Sequence, residues 1–255
     1  MASCSNKSIP PDVKKIPKEI KTHDSVRTDN YYWMRLTDEQ KSAKKYDSQT
    51  QDVINYIDDE TEYLNNSLQH TKPLQKTLYD EMVGRIKKDD QSVPYLENGY
   101  YYYVRYEDKK EYPIYCRKYK NLDNDEEIIL DVNVLAEGHD YYAIGGMSIS
   151  PDNKWLAYGV DTLSRRFYKV HFKNLFSGEI LEHTISNTTG GVAWANDNET
   201  VFYTSKNKVT LLGEKIYRHK IATHSDQDEL VYHEKDETYY NCLLYTSDAA
   251  DDCRC

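Results

Sequence analysis

The sequence has no apolar run approaching the roughly 18 residues that a membrane-spanning helix needs, so such a span is excluded. It has no block of clustered lysine and arginine either. Acidic residues outnumber basic ones 43 to 33, a formal net charge of −10, and this excludes the basic face of a nucleic-acid binder. Cysteine is scarce and poorly spread for a disulfide framework: of Cys4, Cys116, Cys242, Cys253 and Cys255, three fall in the last 14 residues. Cys253 and Cys255 form a C-x-C pair, but no second Cys/His pair stands nearby at ligand spacing. Also missing are a Gly-x-Ser-x-Gly elbow, a Gly-x-Gly-x-x-Gly turn, a Walker A loop, a His-Glu-x-x-His pair and a calcium loop. No catalytic, cofactor-binding or metal-ligating residue is therefore assigned, and no cofactor is expected. What is abundant is tyrosine, 25 residues, which with the other aromatics marks a folding sequence rather than a disordered one.

The two ends stand apart from the body. Residues 241–255 lose the texture of what precedes them and resemble a translated sequencing-adapter read-through. The authentic sequence is expected to end near Tyr240, with a non-native or disordered tail beyond it. At the other end, Ala2-Ser3-Cys4-Ser5 looks like the close of a bacterial lipoprotein signal without its apolar region. Two readings follow: a cytoplasmic protein, or a periplasmic or lipid-anchored one whose start lies upstream of Cys4.

Between the ends the periodicity changes once. Pro10, Pro11 and Pro17 among lysines predict an extended arm, and the aromatic cluster Tyr31, Tyr32, Trp33 and Met34 must dock against something. Val53, Ile57, Leu64 and Leu68, then Leu74, Leu78, Met82 and Ile86, recur at helical spacing and predict two helices separated at Pro73. Residues 1–90 thus read as an arm and helices that clamp a neighbouring body. From residue 91 to 240 the period is two, with Tyr100–Tyr106 and Tyr112–Tyr119 as strands and Pro113 suggesting an edge position.

A repeat lies within the strand-rich part. Gly145-Gly146 recurs as Gly190-Gly191 and Pro151-Asp152-Asn153 as Asn196-Asp197-Asn198, both at an offset of 45 residues. The same offset pairs Leu156 with Val201 and Tyr158 with Tyr203, while Trp155 falls on Thr200. A period of 40–50 residues with about four strands is the signature of a propeller blade. Two clear units and a looser one at 98–134 predict about three blades, too few to close a ring. The fold class expected is mainly β: a partial seven-bladed β-propeller preceded by a helical arm.

The remaining polar motifs read as structural. Asp58, Asp59 and Glu60 fall on a solvated helix face, Asp125, Glu126 and Glu127 in a hairpin turn, and His233-Glu234 at a strand end. Asn65 and Asn198 head chance matches to the glycosylation pattern. Arg165 and Arg166, following Asp161, predict a salt bridge within the blade or to another domain.

In order along the chain, several runs resemble the prolyl oligopeptidase family of serine peptidases, and its oligopeptidase B (protease II) branch in particular. They include His23 with Arg27, Asp29, Tyr31, Trp33, Met34 and Arg35, then Leu78–Met82, Arg85–Lys87 and Ser92–Pro94. Further matches are Tyr112–Tyr115, Ile129–Asn133, Ala136–His139, Ser150–Asp152, Ser164–Arg166, Trp194–Asn198 and Lys215–His219. Asp24 departs from the family's usual glycine. The resemblance implies an N-terminal piece of a two-domain serine endopeptidase whose α/β-hydrolase domain, carrying Ser, Asp and His, is missing here. It implies cleavage of short peptides after Lys or Arg through an acyl-enzyme, with the propeller gating substrate size and the missing hydrolase domain as the partner in cis. The fragment alone is then expected to be inactive. Proline specificity within the same family, and a non-enzymatic propeller binding module, are the competing readings.

Overall fold

The computed structural model describes residues 9–244, and the chain divides into two units, Met1–Ile86 and Lys87–Cys255. Cys4 and the pair Cys253 and Cys255 lie outside the described residues.

In the first unit, β1 (Lys18–Thr22) and β2 (Ser25–Asp29) pair as an antiparallel hairpin that turns at His23, φ 53°. The expected extended arm therefore folds back on itself after its prolines. The aromatic cluster does dock: Trp33 Nε1 donates to the Lys14 carbonyl at 2.8 Å, and Gln49 Nε2 donates to the Trp33 carbonyl at 2.6 Å. The short helix α1 (Asp38–Ser42) starts on a reciprocal Thr37–Gln40 capping box. Asp47 caps α2 (Ser48–Leu68) by accepting from the Thr50 N–H at 2.7 Å. Pro73 sits in the first turn of α3 (Lys72–Gly84), where its missing N–H costs nothing. Both predicted helices are present, yet of their shared stripe only Val53 is buried. Ile57, Leu64, Leu68, Leu74, Leu78, Met82 and Ile86 keep 41–64% of their surface exposed.

The second unit is an antiparallel meander. The first sheet is β3 (Tyr95–Glu97), β4 (Tyr100–Arg105), β5 (Ile114–Tyr119) and β6 (Glu127–Asp131), in that spatial order. A single helical turn, α4 (Val132–Leu135), begins on Asp131, whose carboxylate accepts from Asn133 N–H. Then come β7 (Ala143–Ile149), β8 (Trp155–Asp161), β9 (Tyr168–Asn174), β10 (Ile185–Trp194), β11 (Thr200–Lys206), β12 (Gly213–Lys220) and β13 (Glu229–His233), in one seven-stranded order. The long β10 serves two blades. Its start pairs with β9 through Ile185 and Thr188, its end with β11 through Val192, Ala193 and Trp194. The result is three four-stranded blades. Pro113 does not mark an edge, because β5 is flanked by β4 and β6; the proline stands just before the strand and spares the ladder.

The 45-residue repeat is a repeat of structure. Ser150 and Ala195 each donate an N–H across the turn, to the carbonyls of Trp155 and Thr200, at 2.9 and 2.8 Å. Asn153 and Asn198 both adopt left-handed backbone, φ 62° and 61°. Leu156 and Val201 are fully buried, as are Tyr158 and Tyr203 nearly so. Trp155 and Thr200, unlike as residues, are thus equivalent in the backbone, and the turn is closed by different side chains, Ser150 in one unit and Asp197 in the other.

Candidate functional site

The blades converge where the glycine pairs stand. β7 and β10 each break register there, between Ile144 and Met147 and between Thr188 and Val192. A Cβ on Gly146 would stand 2.7 Å from Gly191 Cα, and one on Gly159 would stand 2.6 Å from Gly190 Cα. No side chain fits between backbones that close. This crowding brings the first strands of successive blades together: Trp194 Nε1 on β10 donates to the Ser148 carbonyl on β7 at 3.1 Å.

Polar contacts then join blade to blade. Asn153 Nδ2 donates to the Asn98 carbonyl at 3.1 Å, and the Asp152 N–H donates to Asn198 Oδ1 at 2.9 Å, so the three inner-hairpin turns are linked in series. Lys173 Nζ reaches back to the Ile129 carbonyl at 2.9 Å, and burial pushes its ionisation down. Arg117 is wholly buried at the seam of the first two blades. Its Nε donates to Glu127 at 2.8 Å, its Nη1 to the Asn153 carbonyl at 3.0 Å, and its guanidinium lies 4.1 Å from the Tyr100 ring centre.

A groove of about 560 Å³ lies between the first two blades. Tyr95, Glu97, Tyr102 and Ile129 come from the first blade, Met147 and Ile149 from the second, and Trp194 closes it from the third. Its volume falls in the range of ligand pockets. Cys116 lies at its back, but burial, followed by the nearby Glu126, pushes the thiol up to about 12, so it is an inert packing group. The same Glu126 accepts from Tyr103 Oη at 2.5 Å and from Arg105 at 3.0 Å. Burial works against the Glu126 charge, and these two donors outweigh it, holding the carboxyl below its usual range.

Among the described residues, Arg165 and Arg166 form no salt bridge within the blade. Asp161 instead accepts the backbone N–H groups of Leu163 and Arg166, at 2.8 and 2.7 Å, and both arginine side chains are exposed. A buried acceptor flanked by a tight loop is filled by nearby backbone donors before a long side chain can reach it. Asp125–Glu127, expected in a hairpin turn, supplies the carboxylates that hold Arg105 and Arg117. Among the described residues a buried histidine–carboxylate pair joins His219 Nδ1 to Asp228 Oδ1 at 2.6 Å, with Tyr203 Oη donating to Asp228 at 2.8 Å. His219 Nε2 has no partner among the described residues and its ring stacks on Phe172, so the pair lacks the hydroxyl that a triad would place there. No group of three or more His, Cys, Asp or Glu among the described residues is placed to hold a metal ion. No described helix is long and apolar enough to cross a membrane.

Four-stranded repeats converging on paired glycines define a β-propeller, of which these are successive blades. The model of the prolyl oligopeptidase N-terminal β-propeller domain matches residues 11–250, and the chain belongs to the prolyl oligopeptidase family, on its oligopeptidase B/protease 2 branch. It is 39% identical over 247 residues to dipeptidyl aminopeptidase BI of Pseudoxanthomonas mexicana, covering 91% of this chain and 33% of that one. To protease 2 of Moraxella lacunata it is 29% identical over 236 residues, covering 90% and 32%. Among solved structures, oligopeptidase B from Leishmania major superposes with a TM-score of 0.77 at 27% identity, over 91% of this chain and 34% of that one. The chain spans about a third of the length of these relatives.

Proposed function

We propose that this chain is the N-terminal cap portion of a serine peptidase that cleaves short peptides on the carboxyl side of Lys or Arg. Catalytic Ser, Asp and His belong in this reading to an α/β-hydrolase domain outside these residues, where Ser attacks the scissile carbonyl, His takes its proton and Asp holds the His tautomer. The observation that carries it is the match to protease 2 and oligopeptidase B along nearly the whole chain. The helices support it. Residues 1–90 present an apolar stripe along α2 and α3 that suits a hydrolase domain in cis, and an unclosed set of blades suits a cap that limits substrate size. The 255 residues alone are inactive in this reading.

The 39% identity to a dipeptidyl aminopeptidase favours a second reading, removal of dipeptides from a free N-terminus. Both are tested on the longer protein carrying the hydrolase domain. Fluorogenic amides of blocked arginine, blocked glycyl-proline and an unblocked dipeptide are compared by kcat/KM. The first reading expects the blocked arginine amide to lead by at least about tenfold. Preference for the unblocked dipeptide supports the second, and preference for proline overturns both.

A further inference from the structure

The groove between the first two blades has a chemistry that packing alone does not require. Tyr95 and Tyr102 stand with ring centres 5.7 Å apart at a 32° tilt and form one wall. Ile129, Met147 and Ile149 form an apolar floor. Glu97 lines the same cavity, next to the Asn98-Gly99 turn; its backbone belongs to the β3–β4 ladder, and its carboxylate makes no ion pair or hydrogen bond among the described residues. Burial pushes the Tyr95 phenol up and Glu97 adds to that push. At Tyr102 burial does the same, Arg117 partly opposes it, and Glu97 again adds. The carboxylate is therefore within electrostatic reach of both rings. Arg117, whose charge also acts on Tyr102, already has Glu127 as counter-ion, lies over Tyr100 and does not line the groove.

We propose that this groove binds a guanidinium or ammonium side chain of a peptide, its aliphatic stem on Ile129 and Met147, its charge between the Tyr95 and Tyr102 rings and the Glu97 carboxylate. Aromatic faces attract a cation, a free carboxylate adds a charge-assisted hydrogen bond, and an apolar floor takes the methylenes. A neutral aliphatic ligand would use the floor and leave Glu97 idle. An anion would meet the carboxylate. The groove would hold a basic residue at a distance from the bond being cut, and the inference rests on the peptidase reading only for the source of that residue, a peptide substrate.

The test is calorimetric titration of the 255-residue chain with Nα-acetyl-arginine amide and with its uncharged counterpart, Nα-acetyl-citrulline amide. Saturable binding is expected for arginine, weaker by about tenfold for citrulline and by about tenfold for arginine on Glu97→Gln. Tyr95→Leu should weaken arginine binding several-fold. Both residues are exposed, so an unchanged thermal midpoint verifies the fold of each variant. No saturable binding to the folded chain, equal affinity for citrulline, or unchanged affinity in Glu97→Gln overturns the proposal. The titration reads the groove without catalysis, so its failure leaves the peptidase reading standing, and a failed hydrolysis assay on the longer protein leaves the groove standing.

Discussion

The two units treat their apolar residues in opposite ways. Along α2 and α3, leucine, isoleucine and methionine side chains at helical spacing stand in solvent, whereas Phe172, Val170, Ile185 and Val201 in the blades are completely enclosed. Each of the exposed groups would contribute roughly 1.5–3 kcal/mol if fully covered. Such a stripe suits a partner outside these residues, which the proposed hydrolase domain would supply. The blades need no such partner for the faces they share with each other, because adjacent copies of one repeat bury them. Solvent-facing stripe and buried seam thus separate what the chain offers to another body from what it needs to hold itself together.

The largest expected effect is on the seam. Phe172→Ala should cost about 3–5 kcal/mol, read as a shift in the urea unfolding midpoint, because it empties a site enclosed by Trp194, His219 and their neighbours. A shift as small as that of a surface substitution would show that the blades are not packed as described. Next is Gly159→Ala, at about 1–3 kcal/mol, since the new methyl meets the Gly190 backbone and the Gly145 carbonyl rather than a yielding side chain.

A smaller effect is set by pH. His171 stacks against Tyr158 at 5.4 Å, and burial, with Lys169 adding, holds its ionisation below the usual histidine range. Its folded pKa is the lower one, so the stability from burying the neutral ring is complete above about pH 6.5 and is lost as pH falls through the depressed value. His171→Gln should flatten that part of the stability–pH curve, and an unaltered curve would contradict the assignment. The smallest change belongs to the helices: Leu78→Ser with Met82→Ser should move stability by no more than about 0.5 kcal/mol. The same pair should reduce self-association in light scattering, because it breaks an exposed apolar surface.

Much of this fold was legible in the residue pattern, for identifiable reasons. Asp152-Asn153 and Asp197-Asn198 recur because each turn needs a side-chain acceptor and a left-handed residue, and the glycine pairs recur because backbones meet there. Pro73 announced the start of α3 by the same kind of local chemistry, whereas the Asp47 cap of α2 was seen only in the fold. The groove left no such trace, since Glu97, Met147 and Trp194 belong to three blades and meet only through the fold. Arg117 was missed for a related reason. Its strand alternates, with Ile114 and Cys116 beside Tyr103 on one face and Tyr115 turned to the second blade on the other, and an arginine in that row reads as solvent-facing. The adjacent Arg165 and Arg166 were the more conspicuous pair in sequence, yet it is the backbone of their loop that Asp161 engages.

The central claim is that these blades and helices cap a catalytic domain encoded beyond them. Reading the source DNA or transcript past the codon for Tyr240 tests it most directly. The account predicts a frame that continues through further blades into a Gly-x-Ser-x-Gly elbow, followed by an acid and a histidine. A frame that stops after Cys255 in the source transcript would contradict it, and the chain would then have to work as a binding module.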